Sequence, residues 1–161
     1  MNKKMYKKNV LFYMCFMVVG MLAGCDNSTQ SSAPNLSMSP NAIIKALKRV
    51  DVKVGDGELA LKESKVAVHY SGWLYDDNAE DKKGDLFDTS SDLGEPLIFT
   101  LGQSMVIKGW DEGIPGMKVG GKRTLLIPPE MAYGSKRMGT ARAVIPANSA
   151  LVFDVELIGV I

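Results

Sequence analysis

The chain has 161 residues, a formal net charge of +1, 23% charged side chains, two cysteines and one histidine. A near-neutral charge leaves no electrostatic footprint for nucleic acid. The lone histidine is too few for a site that needs several His or Cys ligands around a metal.

The first element is a targeting segment. MNKKMYKK supplies four lysines and no acid, VLFYMCFMVVGMLA is apolar for fourteen residues, and Gly24 and Cys25 follow. That order describes a secretory signal, and it falls short of the roughly 20 apolar residues a spanning helix needs. LAGC resembles the lipobox of bacterial lipoproteins, which implies cleavage before Cys25 and acylation of that cysteine. Residues 1–24 are thus expected to be a lipoprotein signal peptide. The mature chain would then carry fifteen basic and eighteen acidic residues, a net −3, with Cys25 as its one cysteine and no internal disulfide. The expected place is the cell envelope: membrane-anchored through lipid, facing the periplasm or exterior, with inner and outer membrane both open. After Cys25, DNSTQSSAPNLSMSP completes a flexible linker at 25–40, whose coil reach is about 20 Å. Residues 41–161 form one domain, with its core at 65–161.

Within the domain, Ser39 and Pro40 can open a short helix with Ile43, Ile44 and Leu47 on one face. From Val50 the apolar period changes to two, Val50, Val52 and Val54 alternating with Asp51 and Lys53, and DGE marks a turn. KVAVHYSGWLY, 65–75, alternates again, with Val66, Val68 and Tyr70 on one face. His69, on the other, reads as a hydrogen-bonded structural residue. DDNAEDKKGD, 76–85, is a charged hairpin tip, and SKRMGTARA, 135–143, a basic loop. IFTL and RTLLI are short strands, the latter stopped by Pro128 and Pro129. LVFDVELIGV, 151–160, is the clearest strand, with Leu151, Phe153, Val155 and Leu157 facing inward. Several antiparallel strands and one short internal helix predict an α+β domain dominated by sheet.

VIKGWDEGIPGMKVGGK, 106–122, decides the functional class. Gly116, Gly121 and Lys122 fit the spacing of a phosphate-binding loop, but Arg123 stands where Ser or Thr would hold magnesium. The segment also leads into a strand instead of opening a helix, which excludes nucleotide binding. A nucleophilic triad needs a histidine beside a serine or cysteine, and 41–161 offers His69 and no cysteine. Any enzyme here works without nucleophile, metal or cofactor. Val106, Trp110 and Ile114 are spaced four apart, so a short helix stacks them on one face. Gly109 and Gly113 leave its other side open to close approach, and Pro115 ends it. Spacing alone does not separate a core helix from the floor of a pocket.

VAVHYSG, LFDTS, EPLIFTLG, VIKGWDEGIPGMKVGGKRTLLIPPEMAYG and VIPANSALVFDVELI occur in this order over 66–158. Together they resemble the FKBP-type peptidyl-prolyl cis-trans isomerases. The resemblance implies a twisted antiparallel sheet wrapped around one short helix, with an aromatic pocket between them. By position, Trp110 would form the pocket floor, ringed by Tyr70, Phe87, Phe99, Val106, Ile107, Tyr133, Ile145 and Phe153. Asp88 would sit at the rim, hydrogen-bonded to Tyr70. The Ile107 N–H and the Tyr133 hydroxyl would hold the ligand's carbonyls. Tyr70, Asp88, Trp110 and Tyr133 are therefore the expected catalytic set.

The implied partners are proline-containing polypeptides, in particular unfolded exported proteins, and macrolide inhibitors, with no cofactor and a monomeric chain. A non-catalytic proline-peptide module or holdase is the alternative. Two departures bear on which ligands the cleft accepts: Leu97, where the family often has an aromatic, and the longer 135–143 loop.

Overall fold

A computed structural model describes residues 44–161, apart from positions 93 and 141. Every described residue belongs to one unit, which spans Leu36–Ile161. The signal segment, Cys25, the linker and the start of the expected helix lie outside the described residues.

The described residues form eight strands and one α-helix. β1 (Lys48–Lys53), β2 (Lys65–Tyr75), β3 (Lys83–Thr89) and β4 (Leu97–Thr100) precede α1 (Lys108–Gly113). β5 (Lys122–Ile127), β6 (Met138–Gly139), β7 (Val144–Ile145) and β8 (Leu151–Val160) follow it. The main sheet runs β1-β5-β8-β2-β3, all neighbours antiparallel. β4 pairs with the first part of β2, at Lys65 to Val68, and β3 with the second, at Ser71 to Tyr75. An antiparallel sheet with one short helix is the expected architecture.

The strands with clean alternation bury the expected faces. Leu151, Phe153, Val155 and Leu157 of β8 join Val66 and Val68 of β2 and Leu125 and Ile127 of β5 in one buried cluster. α1 packs on that surface. It has only six residues, far too few to be stable alone, so its helicity comes from packing. It begins after Ile107, whose extended backbone (φ −61°, ψ 148°) leaves its carbonyl to accept from the Trp110 N–H at 2.9 Å. Val106 therefore precedes the helix and is not its first turn.

Several expectations need correction. Residues 44–47 are not helical; the chain there is irregular and enters β1 at Lys48. Pairing of Lys48 and Arg49 with Leu126 and Leu125 holds the backbone extended, and Ile44 is buried beside Tyr75 and Val152 without any helix. β1 is a strand, as its alternation indicated, but an edge strand: Val50, Val52 and Val54 are 52%, 67% and 75% exposed. The charged tip is shorter than 76–85, because Lys83, Gly84 and Asp85 already belong to β3. Lys83 lies 4.7 Å over the Trp73 ring and 2.7 Å from Asp154, which draws it onto the sheet. The 135–143 loop likewise contains β6, paired with β7. Among the described residues no helix is long and apolar enough to cross a membrane.

Arg123, the residue that breaks the phosphate-loop pattern, has a structural task. Its buried guanidinium donates to the carbonyls of Gly113 (2.8 Å) and Pro115 (3.3 Å) at the end of α1. It also donates to both oxygens of Asp51 on β1, at 2.6 and 3.3 Å. A cation at a helix C-terminus satisfies carbonyls that have no partner within the helix. Arg123→Met should lower unfolding stability by about 1.5–3 kcal/mol, the range for hydrogen bonds to charged groups. Arg123→Lys should recover little, since an ammonium cannot reproduce the planar fork. Urea titration of the two variants against wild type checks this.

Candidate active site

Four aromatic rings, each from a different element, build the site. Trp110, on α1, is the floor. Tyr70 from β2 meets it edge-on, with centroids 5.0 Å apart and planes at 76°. Phe153 from β8 does the same at 5.2 Å and 85°, and Phe87 from β3 stands on Phe153 at 5.5 Å and 86°. Edge-to-face contacts of this kind are the preferred geometry for aromatic rings. Gly72 makes room for two of them, since a Cβ there would lie 2.5 Å from the Phe153 ring and 2.8 Å from that of Phe87.

These rings enclose a cleft of about 200 Å³, whose wall also includes Asp88, Val106, Ile107 and Tyr133. All four residues expected to act in catalysis therefore share one cavity. Phe99 and Ile145 do not reach its wall. They are 3% and 1% exposed and sit in the core behind it, where Phe99 backs Trp110 at 5.7 Å. Leu97 and Met105 complete the lining. Leu97 was noted only as a departure from a family pattern, and Met105, 63% exposed in a bend, carries no signal in the sequence.

The polar groups are few and specific. The Tyr70 hydroxyl donates to Asp88 Oδ2 at 2.8 Å, and the Thr89 N–H donates to Asp88 Oδ1 at 3.0 Å. Burial, and then the Asp88 carboxylate, push the Tyr70 hydroxyl well above the usual phenol range. Tyr133 is raised too, first by burial and then by Asp88. Both phenols therefore stay neutral donors at physiological pH. Among the described residues, neither the Tyr133 hydroxyl nor the Ile107 N–H has a protein acceptor, so both remain available to a ligand's carbonyl oxygens. Trp110 Nε1 is the buried side-chain nitrogen left without a partner among the described residues.

A broader depression of about 260 Å³ lies over the outward side of β5, β8 and β2. Several of its polar groups pair with one another: Ser71 with Thr89, Thr124 with Asp154, Lys122 with Glu156. His69 belongs there, its Nδ1 3.1 Å from the Ser90 hydroxyl, as expected for a structural histidine. The buried side-chain donor without a partner among the described residues, Trp110 Nε1, is in the aromatic cleft.

Known proteins agree on what this cleft belongs to. The family profile for FKBP-type peptidyl-prolyl cis-trans isomerase matches residues 57–158. The chain belongs to that family. An FK506-binding protein of Neisseria meningitidis is 48% identical over 110 residues, covering 68% of this chain and 92% of the relative. Peptidyl-prolyl cis-trans isomerase FKBP13 of Arabidopsis thaliana is 39% identical over 149 residues, or 88% of this chain and 66% of the relative. Among solved structures, AtFKBP13 superposes with a TM-score of 0.60 at 44% identity, over 71% of this chain and 93% of that one. FkpA from Escherichia coli gives 0.56 at 46%, over 71% of this chain and 47% of its own. The chain is thus an FKBP-type prolyl isomerase.

Two substitutions separate scaffold from site. Tyr133→Phe removes one neutral donor, a bond worth roughly 0.5–1.5 kcal/mol, and should lower kcat/KM by up to about tenfold. Asp88→Leu should lower it further, because it also frees Tyr70 inside the cleft. Both should melt within a few degrees of wild type, and wild-type activity should show no tyrosine ionisation below about pH 9. Calorimetry and a pH profile check these; full activity combined with a large loss of stability would move either residue to the scaffold.

Proposed function

We propose that this isomerase works by desolvation: it accelerates rotation about X–Pro bonds by moving the planar amide into an aromatic, water-poor cleft. The observation that carries the reading is the Trp110 floor packed edge-on by Tyr70 and Phe153, with one carboxylate at its rim already bound to a phenol. Rotation about a peptide bond is slow because it breaks amide resonance. The planar amide is more dipolar than the twisted one, so an apolar environment disfavours the ground state relative to the transition state. The free Ile107 N–H and Tyr133 hydroxyl would hold the flanking carbonyls in the twisted geometry. No proton is transferred, and the site holds two neutral phenols in place of a general base.

The cleft volume supports a small guest. About 200 Å³ lies below the roughly 300–1,000 Å³ of typical drug-sized pockets, and suits a prolyl ring with its neighbouring peptide units. Relatives of this chain are named FK506-binding proteins, and a macrolide of that class would enter the same cleft as an inhibitor. The physiological substrates we propose are unfolded exported polypeptides, met at a membrane surface by a monomer tethered through Cys25. The support is the order of a basic start, a fourteen-residue apolar run and LAGC, followed by a linker long enough to let the domain clear the lipid.

In a protease-coupled proline-peptide assay, residues 26–161 should convert the cis peptide much faster than its uncatalysed rate, and FK506 should suppress the excess. A rate equal to the uncatalysed one, with peptide still bound, would establish the binding-module or holdase alternative instead. For the anchor, Cys25→Ser should abolish acylation and leave the chain either uncleaved or soluble. Metabolic labelling with a fatty acid and membrane fractionation read this directly; wild type found unlabelled and as soluble as the variant would rule out the lipid anchor.

A further inference from the structure

The 135–143 loop is bracketed by site and core: Tyr133 lines the cleft just before it, and the buried Ile145 closely follows it. Within the loop, the bonds are local. Lys136 N–H donates to Tyr133 O at 3.1 Å, Thr140 N–H to Ala143 O at 2.9 Å, and β6 pairs with β7. Two side chains tie the segment to β3 and the turn after it. The Thr140 hydroxyl lies 2.6 Å from the Phe87 carbonyl as donor, with the Ala143 carbonyl also in reach at 2.8 Å, and accepts from Ala143 N–H at 3.0 Å. Arg142 forks onto Asp92, its Nε donating to Oδ2 at 2.6 Å and its Nη2 to Oδ1. Phe87 and Asp88 are consecutive on β3, and Asp92 ends the 3₁₀ turn Ser90–Asp92 that follows it.

A bond pair that joins positions 50 residues apart in sequence acts mainly on the relative placement of two segments. An exposed ion pair contributes little to global stability. A bidentate Arg–carboxylate pair does fix geometry, because both nitrogens must align with both oxygens. Here the two segments are the one that carries Tyr133 and the one that carries Phe87 and Asp88. Both segments line the cleft, so their relative placement bears on its shape.

We propose that Arg142 is a positioning residue for peptide binding: with Thr140 it straps the long loop onto the β3 edge and holds Tyr133 at a fixed distance from the Asp88 wall. The proposal rests on the prolyl-peptide reading of the cleft. Loss of the strap widens the range of Tyr133 positions, so bound substrate and transition state weaken together. That pattern raises KM and leaves kcat nearly unchanged. Because the pair is exposed, salt should loosen it as well.

The test uses the full chain as wild type, Arg142→Ala, and the charge-swapped double variant Asp92→Arg with Arg142→Asp. Arg142→Ala should raise KM for a proline peptide roughly three- to tenfold at near wild-type kcat, the signature of lost uniform binding. Its Ala143 amide should exchange hydrogen faster than in wild type, while core amides of β8 keep their protection. The swapped pair should restore both values toward wild type. KM should climb with salt in wild type and stay flat in Arg142→Ala. Unchanged KM, unchanged exchange at Ala143, or a swap that restores neither would each overturn the strap. If wild type binds the peptide but does not turn it over, the isomerase reading falls, and the peptide Kd, followed by tryptophan fluorescence, replaces KM in the comparison. If wild type binds no proline peptide, both readings fall together.

Discussion

The structure depends on one close approach, that of α1 to β5. A Cβ at Gly109 would lie 2.5 Å from Ile127 Cγ2, and one at Gly113 would lie 2.9 Å from the Leu125 methyls. Real Cβ atoms do not come that near, so any side chain at either position lifts the helix off the sheet. With glycine at both, a helix of six residues lies directly on the strand, and its one large side chain, Trp110, is pressed among Tyr70, Phe99 and Phe153. Arg123 locks the arrangement from the far end, by holding carbonyls at the helix terminus and the Asp51 carboxylate together. Gly109 and Gly113, which precede the glycines that imitate a phosphate loop, are thus the reason the helix can form a floor.

A consequence is that core and site are one body. Trp110 and Phe153 belong to the main buried cluster and also line the cleft. Their truncation therefore removes packing and pocket at once, and large-to-small changes of aromatic core residues cost about 3–5 kcal/mol. The groups that belong to the site alone are peripheral and polar: the Tyr133 hydroxyl, the Asp88 carboxylate and the Ile107 N–H. The rigidity that fixes these peripheral groups is borrowed from the core behind them.

How much of this could be read from the residues follows from the range of the interactions. β2 and β8 were legible because one face of each is buried, and burial writes a period of two into the sequence. β1 shows the same period for no such reason; its valines face water, and only pairing with β5 makes it a strand. β3 has no clean alternation, and its first residues read as part of a charged tip until cross-strand contacts with Trp73 and Asp154 are known. Ile44 and Leu47 have helical spacing but pack as irregular chain. At the site, four-residue spacing marks Trp110 as facing inward without saying that a cleft lies above it. The set of residues around that cleft came from resemblance to a family. The Tyr70–Asp88 bond spans 18 positions and Arg142–Asp92 spans 50, and no local pattern encodes either.

The chemistry of the cleft follows from what its polar groups cannot do. Two phenols held neutral by burial and by a nearby carboxylate are poor bases and poor nucleophiles. The one carboxylate is occupied by Tyr70 and by the Thr89 amide, so it orients a ring instead of attacking a carbonyl. Trp110 Nε1 stays buried without an acceptor, at a cost of about 1–3 kcal/mol for an unmade bond. A core selected for stability alone would remove that donor, for instance with phenylalanine. The indole instead gives the cleft a broad aromatic floor, which the proposed desolvation uses. Under the desolvation mechanism proposed above, such a surface lowers the barrier to a reaction whose transition state is less dipolar than its ground state, as rotation about a prolyl amide is.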